Sequence, residues 1–213
     1  MKKAIIAVLA AAVLGAACGG KDSGLKKGDL VFRADEPDAI SDAIQGVSDG
    51  YGGMRFSHAG ILDIQGEDTT VIEAVFSGVR RTPFREFLSH AAIRNGRPAV
   101  LVERLRPPYG ASADAAVERA AGFIGRPYDE AFLPDNDAYY CTELIQASYL
   151  DGGGKPLFSS RPMTFRDNRT GEIPRAWTDF FEARGLDVPE GVPGTNPGDM
   201  AADTILYEVL RFY

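Results

Sequence analysis

Two cysteines, Cys18 and Cys141, and two histidines, His58 and His90, are all that this sequence of 213 residues contains of either type. Neither histidine has a cysteine beside it, so a structural zinc site built from closely spaced Cys and His ligands is not expected. Lysine and arginine do not cluster anywhere in the body of the chain, and 23 basic residues against 30 acidic ones leave a net charge of −7. A surface that tracks nucleic-acid phosphates needs the opposite sign, so no nucleic-acid partner is expected. The apolar run over residues 4–17 is too short for a spanning helix, which needs about 20 residues. No internal repeat or low-complexity tract is present. The glycine-rich stretch 46–53 lacks the Lys and Ser/Thr of a phosphate loop.

Apolar residues make up 45% of the chain and charged residues 25%, the balance of an ordinary folded domain. The N-terminus stands apart from that domain. Lys2 and Lys3 precede the apolar run, which ends in the small residues Gly15, Ala16 and Ala17, the layout of a signal peptide. Cys18 follows, then a short polar tether. This resembles a bacterial lipoprotein signal, in which Cys18 would carry lipid and become the mature N-terminus. Gly15 stands where such signals usually have Leu, and Gly15 with Ala17 also suits ordinary cleavage. The expected organisation is a signal peptide over 1–17, a lipidated N-terminus and tether over 18–27, and one domain over 28–213. Export to a bacterial cell envelope, with a membrane anchor through Cys18, follows from that reading.

If Cys18 carries lipid, Cys141 is a lone thiol in an oxidising compartment, either buried or chemically employed. It follows a loop rich in Pro, Asp and Asn over 127–137 and opens a segment in which Leu144, Ile145, Ser148 and Tyr149 recur at helical spacing, stopped by Gly152, Gly153 and Gly154. That places Cys141 at a helix N-terminus. Unpaired N–H groups and the helix dipole there stabilise a thiolate and can hold an oxyanion.

Its base must be one of the two histidines. His58 begins an apolar stretch that reads as a strand to Ile64, and a second strand is expected over 70–76. With Gln65 and Gly66 as a two-residue turn, residue 64 faces 67 and His58 faces Glu73 on the same side of the hairpin. A carboxylate there orients an imidazole and stabilises its cation. A longer turn through Glu67 and Asp68 changes that register. His90 lies in a short amphipathic stretch over 84–91, where a surface or capping role accounts for it.

The succession Gly28-Asp29-Leu30-Val31-Phe32, Phe56-Ser57-His58-Ala59-Gly60-Ile61, Val71-Ile72-Glu73-Ala74 and Tyr139-Tyr140-Cys141-Thr142-Glu143-Leu144 resembles the permuted papain-like amidases of the YiiX type. These are relatives of the NlpC-type cell-wall peptidases in which the histidine precedes the cysteine. The resemblance runs from about Gly28 to Leu150. It implies Cys141 as nucleophile, His58 as base and Glu73 as the residue orienting His58. It also implies an α+β fold, a circularly permuted papain-like (NlpC-like) architecture with an antiparallel barrel-like sheet and the catalytic cysteine at a helix N-terminus. No cofactor is implied. The sequence itself offers strands over 29–32, 58–64, 70–76, 78–82, 99–105 and 205–212, and a further helix over 112–124 ended by Gly125.

Tyr128, Tyr139 and Tyr140 are candidates to line the substrate pocket, or are simply packed. Glu143 is two residues from Cys141 and so points away from it on a helix, which leaves it a structural or substrate-binding role. The 46–53 loop around Tyr51 reads equally as a lid and as a plain connection. Trp177, Phe180 and Phe181 suggest a small helix docked on the core. The expected activity is an exported cysteine hydrolase that opens an amide through a thioester, acting on a cell-wall peptide or related N-acyl substrate. A lipid acyltransferase or esterase on the same residues, and a non-catalytic envelope module that binds peptide or lipid, are the alternatives.

Overall fold

A computed structural model describes residues 24–213. The expected signal peptide, Cys18 and the first part of the tether lie outside the described residues. Strands β1 (Leu30–Arg33), β2 (His58–Gln65), β3 (Asp68–Val75) and β4 (Gly78–Pro83) are followed by a short ribbon of β5 (Ile93–Arg94) and β6 (Arg97–Pro98). Then come β7 (Val100–Leu105), a second ribbon of β8 (Arg161–Pro162) and β9 (Pro193–Gly194), and β10 (Leu206–Arg211). The helices are α1 (Ala39–Gly46), α2 (Phe84–Ser89), α3 (Ala113–Gly122), α4 (Cys141–Ser148), α5 (Arg175–Glu182) and α6 (Pro197–Ala201). The six longer strands form one sheet in the order β10-β7-β1-β2-β3-β4, with every neighbouring pair antiparallel. All six had a counterpart in the sequence reading, with ends differing by one or two residues.

Strand alternation sorts the sheet into two buried faces. Leu30, Phe32, Ile61, Ile72 and Ala74 meet Ala116, Val117 and Ala120 of α3 and Leu144 and Ile145 of α4 in the main core. Val31, Leu62, Val71, Val100 and Val102 pack on the opposite face with Phe87 of α2. A third cluster joins Ala43 of α1, Phe165, and Trp177, Phe180 and Phe181 of α5 around Phe132. Because both faces of the sheet are covered, its central strands are apolar almost throughout, and the few charges inside them stand out.

The β2–β3 hairpin differs from the sequence expectation in register. Ile61 pairs with Ile72 and Gln65 with Asp68, so the turn is Gly66-Glu67 and not Gln65-Gly66. Gly66 adopts φ 62° as the first turn residue, a position that glycine fills without steric cost in a tight hairpin. The displacement is two residues, which returns every side chain to the face first assigned to it.

The ordered contacts also begin earlier than residue 28. Arg104 Nη2 donates to the Gly24 carbonyl at 2.5 Å, Lys26 N–H donates to Asp29 Oδ2 at 2.7 Å, and Leu25 packs on the second core face. Helix α1, for which the sequence reading offered no element, is capped by Asp38, whose carboxylate accepts from the N–H groups of Ile40 and Ser41 at 2.9 Å each.

Candidate active site

Cys141 is the first residue of α4, and Tyr140 precedes it as the N-cap in extended conformation. Tyr140 places no side-chain oxygen on the helix start. Glu143 reaches back instead, its Oε2 accepting the Tyr140 N–H at 3.3 Å. The first N–H groups of a helix have no partner within it, so that of Cys141 is available to an incoming oxygen.

His58 opens β2 and stands opposite Arg33 of β1. Its Nε2 lies 2.7 Å from Glu73 Oε2. Glu73 is fully buried, and its other oxygen accepts from Thr82 Oγ1 at 2.5 Å and from Arg80 Nη2 at 3.2 Å. Arg33 Nη1 lies 3.7 Å from Glu73 Oε2. Arg33 is itself held by Asp35 and lies over the Phe87 ring at 4.5 Å. Asp35 in turn accepts from Ser57 Oγ at 2.8 Å. The carboxylate is therefore fixed from three strands, and it fixes the imidazole.

The Cys141 side chain lies close enough to His58 to act on its charge, and the two line the same cleft. With Nε2 committed to Glu73, Nδ1 is the ring nitrogen left for the thiol. Burial and the Arg33 charge favour a neutral imidazole, but the interactions with Cys141 and Glu73 outweigh them and raise His58 to about 9. Burial of Glu73 pushes the other way as well, yet the His58 bond and charge, Thr82 and Arg33 hold its carboxyl at about 2. At neutral pH the pair is an imidazolium and a carboxylate.

A cleft of about 450 Å³ opens over Cys141 and His58. Its polar lining is Arg33, Asp35, Glu36, Asp38, Ser57 and His90. Its apolar lining includes Ile40, Ile44 and a wall of mutually packed rings from Phe76, Tyr128, Phe132, Trp177 and Phe180. Phe76 is 59% exposed at this wall and packs against Tyr128 with ring centroids 4.9 Å apart. A smaller pocket of about 50 Å³ adjoins Cys141, lined by Tyr140, Thr142, Met163, Phe165 and Thr195 among others.

Cys141, His58 and Glu73 thus come together, and Tyr128 and Tyr140 line the space around them. Glu143 is not a lining residue: it faces its own helix start, and burial together with the charge of Asp129 pushes it up to about 8. Tyr51 also lies elsewhere. It closes a tight turn with Met54, and the Arg211 guanidinium of β10 lies 5.9 Å from its ring. Tyr139 packs on Phe123, centroids 4.6 Å apart. His90 caps the end of α2, as a capping histidine should, but it also reaches the polar rim of the cleft.

The sequence reading passed over Arg33, Arg80 and Thr82. Arg33 carries the one charge in the buried run Leu30–Arg33, a signal that was legible. Arg80 faces Glu73 directly across β3 and β4, which required the register of a second hairpin. The docked helix read from Trp177, Phe180 and Phe181 is α5, but its joining Phe132 as a wall of the cleft depends on long-range packing.

Three likenesses to known proteins bear on this geometry. A family model described as permuted papain-like amidase enzyme, YaeF/YiiX, C92 family, matches residues 24–210. The uncharacterized protein YiiX of Escherichia coli K12 is 29% identical over 130 residues, 60% of this chain and 58% of that protein. The chain thus spans under two thirds of the length of that curated relative. A crystal structure of YiiX from Escherichia coli O157:H7, titled a metalloprotein, superposes with a TM-score of 0.68 at 22% identity, covering 87% of this chain and 97% of that one. Among the described residues no group of three or more His, Cys, Asp or Glu side chains is arranged to hold a metal ion, and Glu73 is already saturated by Thr82, arginine and His58, so the residues present do not fit one. With most of its length matched by the family model and the fold shared with YiiX, this chain belongs to the permuted papain-like amidases of the YaeF/YiiX, C92 family.

Proposed function

We propose that this protein is an exported, lipid-anchored cysteine hydrolase that opens an amide bond through a thioester on Cys141, with His58 and Glu73 completing the triad. The observation that carries the reading is an imidazole that is bonded to a buried carboxylate and lines one cleft with a helix-start thiol. The Cys141 sulfur, as thiolate beside the His58 cation, attacks the substrate carbonyl carbon. The carbonyl oxygen takes the negative charge and accepts from the Cys141 N–H. When the C–N bond breaks, the amine leaves with the Nδ1 proton of His58. Water then gives a proton to neutral His58 and attacks the thioester. The C–S bond breaks, a carboxylic acid departs, and the thiolate and imidazolium are restored. Glu73 keeps Nδ1 aimed at sulfur throughout and balances the imidazolium charge. Tyr128, whose hydroxyl is held protonated by burial and by the neighbouring Cys141 charge, supplies a donor for the substrate beside the sulfur.

The aromatic wall supports an N-acyl substrate with an apolar acyl group over a purely polar cell-wall peptide. The lipid anchor on Cys18 would keep the enzyme at a membrane surface where such substrates reside. The test is to incubate the protein with N-acyl amides and with short cell-wall peptides and to search by mass for an acyl adduct on Cys141 and for released acid. Turnover with an adduct at Cys141, abolished in Cys141→Ala, is the expected result. Turnover by Cys141→Ala equal to wild type would remove the enzyme assignment. Accumulation of an acylated amine or alcohol in place of free acid would make the protein a transferase.

A further inference from the structure

Thr195 hydrogen-bonds to both neighbours of Cys141. Its N–H donates to the Tyr140 hydroxyl at 3.0 Å, and its Oγ1 donates to Thr142 Oγ1 at 2.9 Å. Tyr140 is 4% exposed and Thr142 fully buried, so neither bond competes with bulk water. The approach depends on Gly194, where a Cβ would stand 2.4 Å from Met163 Sδ and 2.6 Å from the Tyr140 hydroxyl oxygen.

Thr195 is itself anchored on both sides. Gly194 pairs with Arg161 in the β8–β9 ribbon. Asn196 caps α6, its Oδ1 accepting the Asp199 N–H at 2.8 Å. The strap formed by residues 194–196 thus runs between two fixed elements and grips the start of α4 on either side of the cysteine.

The first turn of a helix is the part its own hydrogen bonds hold least, and Tyr140 does not cap it from its side chain. His58 stands on the sheet and Cys141 on the helix, so their relative placement depends on what fixes that turn from outside. We propose that Thr195 is a positioning residue for Cys141, setting its sulfur and its N–H against His58. The proposal rests on Cys141 being the nucleophile.

The test is the rate of iodoacetamide labelling at Cys141, followed by peptide mass at pH 7, with the thermal midpoint measured alongside. Thr195→Val keeps the shape and the N–H bond and deletes only the hydroxyl bond. It is expected to slow labelling about tenfold, since small misplacements of reacting groups are costly, with the midpoint within a few degrees of wild type. Thr195→Ser, which restores the hydroxyl, should label within about twofold of wild type. Wild-type labelling by Thr195→Val overturns the proposal, and so does an equal loss in Thr195→Ser. If Thr195→Val does not fold, Thr142→Val deletes the same bond from its other end and carries the same expectations. His58→Ala separates the two layers: slow labelling there with a normal rate in Thr195→Val defeats the strap alone, whereas a normal rate in His58→Ala defeats the nucleophile reading and the strap with it.

Discussion

His58 and Glu73 share a 2.7 Å hydrogen bond although the β2–β3 pairing does not set them opposite each other. Extending the pairs Ile61 with Ile72 and Leu62 with Val71 puts Glu73 across from Gly60. The two side chains meet on the diagonal, over a glycine with no side chain of its own. A Cβ at residue 60 would stand 2.4 Å from Val71 Cγ1 and 3.5 Å from Glu73 Cβ. Gly60→Ala is therefore expected to push β3 away from β2, costing about 1–3 kcal/mol as overpacking does, and to slow Cys141 labelling. Urea unfolding and labelling together check it, and a variant unchanged in both would show that the diagonal tolerates a methyl.

Glu73 balances three positive groups in a buried site. Glu73→Gln leaves Arg33, Arg80 and the His58 cation without their carboxylate, and breaking such a buried arrangement costs about 3–5 kcal/mol. Loss of His58 orientation should lower turnover by at least about a hundredfold. Urea midpoints and steady-state rates measure the two effects separately.

The pH dependence of stability has a defined sign on each side. His58 rises from 6.5 to about 9 on folding, so its stabilisation is complete below about 6.5 and disappears as pH climbs through 9. Glu73 falls from 4.5 to about 2, so its contribution is complete above about 4.5 and disappears as pH drops towards 2. The stability gap between wild type and His58→Gln should narrow as pH is raised from 6 to 9.5. A gap that widened over that range would contradict the charged pair.

Phe87 is fully buried beneath both Arg33 at 4.5 Å and the His58 ring at 5.9 Å. Phe87→Ala is expected to cost about 3–5 kcal/mol and to loosen the floor of the triad. Phe76, in contrast, is mostly exposed at the cleft wall. Phe76→Ser should leave the thermal midpoint nearly unchanged while raising KM for apolar N-acyl substrates several-fold. An unaltered KM would argue against the apolar wall as the acyl site.

Much of this site was legible in the sequence because few residues were eligible. Two histidines and one thiol in the folded domain restrict the choice, the 3.6-residue periodicity after Cys141 locates the helix start, and strand alternation puts His58 and Glu73 on one face. That face survives an error of two residues in register, which is why the wrong turn still pointed to the carboxylate that bonds His58. Tyr51 and Glu143 show the limit. Whether a loop tyrosine turns to the cleft or to Arg211 of β10 is decided by a strand 160 residues further along the chain. Glu143 was correctly set facing away from the cysteine, but its bond back to Tyr140 depends on the cap conformation. Thr195 carries no local signature, and the helix read at Trp177, Phe180 and Phe181 gives no local sign that it walls the cleft, since both act only after the C-terminal region has packed against the rest of the chain.

The most direct test of the central claim is the labelling rate of Cys141 by iodoacetamide at pH 7 in wild type and in His58→Ala, with both shown to be folded. Wild-type labelling at least about tenfold faster than His58→Ala is expected if the imidazolium supports a nucleophilic sulfur. Equal rates in two folded proteins would show that His58 does not activate Cys141, and the hydrolase reading would fail with it.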